Sequence, residues 1–246
     1  MNRRVSSGFP ISWTWTWTKQ IIQVFQSHAG SGEKRPPSRS RGYVEAVEFV
    51  IGGGRNEGRS IVAYQPVKRK IIAVIGSGGS LSAEQRAGPF AVGAWIARHQ
   101  YHLLTGGGAG VMAAASEGFC SVERSGLSVG VIPSGRPADV YPNPWIELPV
   151  FTHLKGEDPW GADSRNHIIV RSCHALVAFP GQTGTQSELE LALMQPSLKG
   201  AIVACLGESD RIGRLDRNAV SALGIAVATD SAGAVDFLSE FMKSWT

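Results

Sequence analysis

Six short apolar runs, spaced from residue 71 onward, limit how this chain can fold. They are "IIAVIG" (71–76), "HLLTGGG" (102–108), "LSVGVIP" (127–133), "ALVAFPG" (175–181), "AIVACLG" (201–207) and "GIAVATD" (224–230). Their apolar residues do not alternate with polar ones, so each run reads as a strand buried on both faces. Between them lie stretches of helical character at about 83–99, 109–121, 162–174, 184–196 and 231–243. Alternating strand and helix predicts an α/β fold: a doubly wound, mostly parallel sheet of six to seven strands with helices on both faces. Four of the six runs pass directly into glycine. In such a sheet, ligands sit outside the carboxyl ends of the strands, where the strand order reverses.

The chain before residue 68 has a different character. Residues 1–70 hold 12 Lys and Arg against 4 Asp and Glu, whereas residues 71–246 hold 12 against 16. The overall charge of +4 therefore comes from the amino-terminal end and is no sign of nucleic-acid binding. "SHAGSGEKRPPSRSRG" (27–42) is too rich in Gly, Ser, Pro and basic residues to offset its chain entropy by burial. Residues 1–67 are expected to be a disordered or poorly folded basic extension, and residues 68–246 the folded domain. The first acidic residue is Glu33, so the start also resembles an organellar transit peptide. "VEAVEFVIGGGR" (44–55) reads as a short helix or strand and a turn. Cys120, Cys173 and Cys205 lie far apart, and neither a metal site nor a disulfide framework follows from their spacing. They read as reduced intracellular thiols, and the expected location is cytoplasmic unless the extension directs import into an organelle. No apolar run approaches the roughly 18 residues that span a bilayer, and neither a membrane nor a nucleic acid is expected as a partner.

Three strand ends are rich in glycine: "GSGGS" (76–80), "TGGGAGVM" (105–112) and "PGQTGT" (180–185). A helix that begins after such a loop turns free N–H groups and the positive end of its dipole outward, which suits a phosphate. The candidate phosphate-binding residues are Gly76, Ser77, Gly78 and Gly79 in the first loop and Thr105, Gly106, Gly107 and Gly108 in the second. Asn166, Gly181, Gln182, Thr183, Gly184 and Thr185 complete the set. The spacing of Thr185 and Glu188 also fits a capping box, which would occupy Glu188 structurally. In "GADSRNHIIVRS" (161–172), Arg165 and Asn166 are expected to face the same cleft as Glu188. His167 is expected at the surface or in a cap, and Arg171 in a structural ion pair. "DVYPNPWIELPVF" (139–151) is broken by proline and has few polar groups, so it reads as an excursion covering one side of the pocket.

"TGGGAGVM" followed by "SRNHIIVRSCHALVAFPGQTGTQSE" resembles the LOG-like group of Rossmann-type proteins, also labelled lysine decarboxylases, over about residues 68–240. That group carries a GGGxxGxM loop and a PGGxGTxxE loop, with an arginine fifteen residues before the proline. Here Arg165 stands in that relation to Pro180, and Glu188 occupies the glutamate position. Nothing in these residues is a pyridoxal-phosphate signature. Two functions follow from the resemblance. In the LONELY GUY enzymes, a phosphoribohydrolase splits a nucleoside 5′-monophosphate into free base and ribose 5-phosphate. Glu188 and Arg165 would then be the catalytic residues, and no cofactor would be required. Glu188 would stabilise an oxocarbenium-like sugar or direct water, and Arg165 would grip the ribose or phosphate. In the molybdenum cofactor carrier branch, the same loops hold a pterin phosphate as cargo without turning it over. Gln182 replaces the second glycine of PGG, and Asn166 follows the arginine where the enzymes usually have lysine. "YPN" (141–143) and "SRN" (164–166) are closer to the carrier branch, so a carrier for a phosphate-bearing ligand is the leading expectation. The resemblance also implies a homo-oligomer, a dimer or tetramer.

Overall fold

The computed structural model describes residues 46–51, 59–64, 68–135, 137, 141–155 and 158–245. The chain divides into two units, Met1–Arg39 and Ser40–Thr246, and every described residue belongs to the second. The expected disorder and import signal of residues 1–67 lie outside the described residues, apart from one hairpin. In it β1 (Ala46–Ile51) pairs antiparallel with β2 (Arg59–Tyr64).

A seven-stranded parallel sheet follows. Its strands are β3 (Ile71–Ile75), β4 (His102–Thr105), β5 (Ser128–Ile132), β6 (Leu148–Phe151), β7 (Ala175–Ala178), β8 (Ile202–Cys205) and β11 (Ala226–Ala228). A small antiparallel pair, β9 (Arg211–Ile212) with β10 (Leu215–Asp216), stands apart from it. The order across the sheet is β11-β8-β7-β3-β4-β5-β6, and all its neighbours run parallel. All six apolar runs of the sequence are strands of this sheet. From the central β3 the chain moves outward through β4, β5 and β6, then returns to β7 and moves outward the other way. The strand order therefore reverses between β3 and β7, which is where an open α/β sheet binds its ligands.

The helices are α1 (Ala83–Arg98), α2 (Val111–Cys120), α3 (Asn166–Ser172), α4 (Thr183–Leu193), α5 (Arg217–Ala222) and α6 (Ser231–Met242). Right-handed crossovers in the two directions place α1 and α2 over one face and α4 and α5 over the other. Both faces are thereby covered, which explains the continuous apolar runs. Ile72, Ile75, Leu103, Leu176, Val177 and Val203 are almost wholly sealed from water. No helix among the described residues is long and apolar enough to cross a membrane.

Two features depart from expectation. The segment 139–151 is not solely an excursion, because its end is β6, the edge strand beside β5. Pro149 hides it from a pattern reading, yet an edge strand tolerates proline because one side of its ladder is unused. Its apolar side chains are also poorly covered, with Phe151 71% exposed. The expected helix 162–174 is shorter, and a run of turns from Asp158 to Arg165 precedes α3.

Helices α1 and α2 cross on bare backbone. A β-carbon on Gly93 would collide with the Ala115 carbonyl, and one on Gly118 with the Phe90 carbonyl. Glycine inside an exposed helix usually costs about 1 kcal/mol relative to alanine. Here the collision reverses the sign. Gly118→Ala is expected to destabilise the protein by about 1–3 kcal/mol, the usual range for overpacking. The check is a lowered urea midpoint with an unchanged denaturant slope.

Candidate functional site

The three glycine-rich turns meet at the carboxyl edge of the sheet, and Ser77 joins them. Its N–H donates to the Pro180 carbonyl (3.0 Å), and its own carbonyl accepts from the Val111 N–H (2.8 Å). The turn after β3 is thus bonded to the turn after β7 and to the start of α2. Such close approach requires bare α-carbons. A β-carbon on Gly76 would stand 2.7 Å from the Val111 side chain, and one on Gly181 would stand 3.0 Å from the Ser77 nitrogen. Gly110 adopts φ +63°, which glycine alone takes readily, and its α-carbon faces the Ser77 carbonyl. Thr105 is buried, and its Oγ1 accepts from the Gly107 N–H (3.1 Å), shaping the second turn from within.

Helix α4 begins at Thr183, one residue earlier than the sequence suggests, with Gln182 at its cap position. The Gln182 side chain does not cap it. The bond from the Gln186 N–H to the Gln182 carbonyl (3.1 Å) opens the helical ladder, so the amides of Thr183, Gly184 and Thr185 lie ahead of it. Gln182 and Thr183 are exposed, and no atom lies within 4 Å of the open side of Gly184. This end of α4 presents backbone donors and the positive end of the helix dipole without a side-chain cap. The early start also removes the expected capping box. Thr185 is the third helical residue, buried with its hydroxyl against Gly181, and Glu188 lies in the second turn.

Glu188 is only 6% exposed. Burial pushes its carboxyl from 4.5 up to about 7, against the opposing pull of Arg165. Arg165 lies with its guanidinium on the bare α-carbon of Gly106, and its Nη1 donates to the Val131 carbonyl (3.3 Å). Among the described residues, Arg165 and Glu188 form no ion pair within 4 Å. Asn166 is buried, but its Nδ2 donates to Ser187 Oγ (2.8 Å), so that its amide joins α3 to α4. His167 is half-buried, and its Nε2 is buried with no hydrogen-bond partner among the described residues. Arg171 is exposed and forms no ion pair among the described residues. Arg171 lies in the last turn of the short α3, in solvent.

Sequence reasoning missed Asn143. It is 5% exposed, its N–H donates to the Gly107 carbonyl (2.8 Å) and its Nδ2 to the Gly108 carbonyl (2.9 Å). Tyr141 brings its hydroxyl against Gly108 from the same turn. The segment 139–151 therefore contributes polar clamping, not just apolar cover. The triplet "YPN" was its signal in the sequence. The clamp turns two carbonyls of the glycine loop onto protein donors, so they do not oppose an incoming anion.

A cleft of about 970 Å³ opens beside these turns. Ser77, Gly181 and Gln182 form one rim, and it extends over the ends of β8 and β11 towards α1. Arg165 and Glu188 do not line it. No group of three His, Cys, Asp or Glu side chains among the described residues is placed to hold a metal ion.

The sheet order, the joined glycine turns and the Arg165–Glu188 arrangement define a Rossmann-like protein of the LOG type. Within that class the chain belongs to the SLOG cluster4 family, whose model matches residues 69–210. An uncharacterised protein of Archaeoglobus fulgidus is 34% identical over 136 residues, covering 54% of this chain and 82% of the relative. The molybdenum cofactor carrier protein of Chlamydomonas reinhardtii superposes with a TM-score of 0.57 at 27% identity, over 72% of this chain and 99% of that one. The molybdenum cofactor binding protein of Rippkaea orientalis gives a TM-score of 0.58 over 72% and 99%. Its identity is 23%, so that likeness concerns the fold.

The buried carboxyl has a measurable consequence. An unfolded chain ionises Glu188 near 4.5 and the folded one near 7, so folding loses stability as pH rises through that window. The loss amounts to about 3 kcal/mol above the window. Glu188→Gln removes it. In the ligand-free protein, the variant is expected to melt several degrees above the wild type at pH 8 and close to it at pH 4.5. Melting curves at the two pH values check this.

Proposed function

We propose that the protein binds and carries a phosphate-bearing ligand, either a pterin phosphate such as the molybdenum cofactor or a nucleotide. The observation that carries this reading is the uncapped first turn of α4, which opens beside the joined turns at the point where the strand order reverses. The phosphate sits at the amides of Thr183, Gly184 and Thr185, with the loops at Gly76–Gly79 and Gly106–Gly108 around it. Gln182 leans towards carriage, since its exposed side chain adds hydrogen-bonding groups at the mouth of the site. The likeness to the Chlamydomonas carrier supports a cargo of the same chemistry. The open side of Gly184, with no atom within 4 Å, fits a phosphate that must approach backbone closely.

The Glu188 carboxyl favours a second reading. A buried acid near 7 is suited to proton transfer at neutral pH. In this reading the protein hydrolyses a nucleoside 5′-monophosphate: the base leaves with the glycosidic bond electrons and takes up a proton, and water attacks the sugar carbon and loses a proton, giving free base and ribose 5-phosphate. Glu188 directs the water or stabilises the sugar cation, and Arg165 holds the ribose or phosphate.

Native mass spectrometry of the freshly purified protein, followed by thermal shift with phosphate compounds, tests the first reading. A ligand at 100 times its dissociation constant contributes about 2.7 kcal/mol, or several degrees of melting temperature. Gly106→Ala displaces the Arg165 guanidinium and is expected to weaken the shift without unfolding the protein. If no phosphate compound raises the melting temperature, both readings fail. Release of base from AMP, abolished by Glu188→Gln, would replace carriage with hydrolysis.

A further inference from the structure

We infer that Arg211 is the cation that binds the ligand's phosphate, and that the ligand is a phosphate monoester with no second negative group. This rests on the phosphate reading above. The three glycine-rich turns, 76–80, 105–112 and 180–185, contain no Lys or Arg. A phosphate monoester carries close to two negative charges at neutral pH, because its second ionisation lies near 6. A helix start offers only about half a positive charge against it. Arg165 does not make up the difference. Its guanidinium packs on Gly106 and donates to the Val131 carbonyl, and it does not line the cleft beside α4.

Among the described residues, Arg211 is the one cation that does line that cleft, together with Gly181, Gln182 and Gly213. The β9–β10 hairpin brings it there. Ile212 is fully buried in the core, and alternation along a strand turns its neighbour Arg211 the other way, into solvent. At the hairpin tip, the Gly213 N–H donates to the Gly181 carbonyl (2.8 Å) and the Arg214 N–H to Gln186 Oε1 (3.0 Å). Gly213 has φ +56° and lies against the Gln186 side chain, where a β-carbon would collide. The hairpin is thus fastened both to the turn after β7 and to α4. Arg211 forms no ion pair among the described residues, whereas Arg217, just beyond the hairpin, is paired with Asp210.

The rest of the lining limits the ligand to one phosphate. Helices α1 and α6 also begin at the cleft, but Ser82 caps the first and Asp230 the second, through the Gly233 N–H (2.9 Å). Glu84 and Asp230 stand at those two starts and Glu208 in the turn after β8. A second phosphate in the cleft would meet these three carboxylates, while an uncharged or cationic body would not be repelled.

The test titrates the full-length protein, with a metal chelator present, with inorganic phosphate, adenosine and guanosine 5′-monophosphates and the matching diphosphates. Arg211→Gln is expected to weaken the monophosphates at least about tenfold, the loss of one charge-assisted contact, and Arg211→Lys to restore part of that affinity. Arg214→Gln removes the same charge from the same hairpin at an exposed residue outside the cleft lining, and is expected to leave affinity unchanged. The diphosphates are expected to bind no more tightly than the monophosphates. Phosphate binding that survives Arg211→Gln, or that Arg214→Gln weakens equally, overturns the role of Arg211 while leaving the phosphate site standing. Diphosphates that bind more tightly overturn the limit to one phosphate. Failure of every phosphate compound overturns the phosphate reading and this inference together.

Discussion

The peptide groups on either side of Ser77 hold the functional edge of this protein together. Its N–H binds the turn after β7 and its carbonyl binds the start of α2. A buried backbone group must find a partner, and here one residue meets that demand in both directions. The distance between the three turns is thereby set by two hydrogen bonds, and the distance in turn dictates the residues. Gly76, Gly110 and Gly181 each face backbone or side chain where a β-carbon has no room. These glycines serve the junction first, and the uncapped first turn of α4 opens beside it.

The second constraint is electrostatic. Glu188 is held in a place that disfavours its charge, with Arg165 near enough to moderate the effect and too far to cancel it. A chain selected for stability alone would pair the two or replace the carboxylate. Local cost of this kind, in an otherwise well-satisfied core, is expected where a site is kept ready for a ligand.

The sheet was legible because both faces of it are covered, so burial wrote itself into the sequence as unbroken apolar runs. The helices α1, α4 and α6 were placed within a few residues for the same reason. The edge strand β6 was not legible, since Leu148, Val150 and Phe151 lack a burial pattern and Pro149 argues against a strand. The small β9–β10 pair and α5 are too short to carry a period. At the site, the spacing of Thr185 and Glu188 matched a capping box, but spacing cannot say where a helix begins, and a start at Thr183 puts both residues inside it. Asn143 escaped because its role depends on two carbonyls distant in the chain.

The contact between Arg165 and Gly106 also bears on inheritance. The guanidinium rests where any side chain at position 106 would stand. Neither residue can therefore drift alone: a lineage that gains a methyl group at 106 must re-aim or discard the arginine, and one that shortens the arginine releases the glycine from its obligation. Among descendants of this chain the two positions should covary.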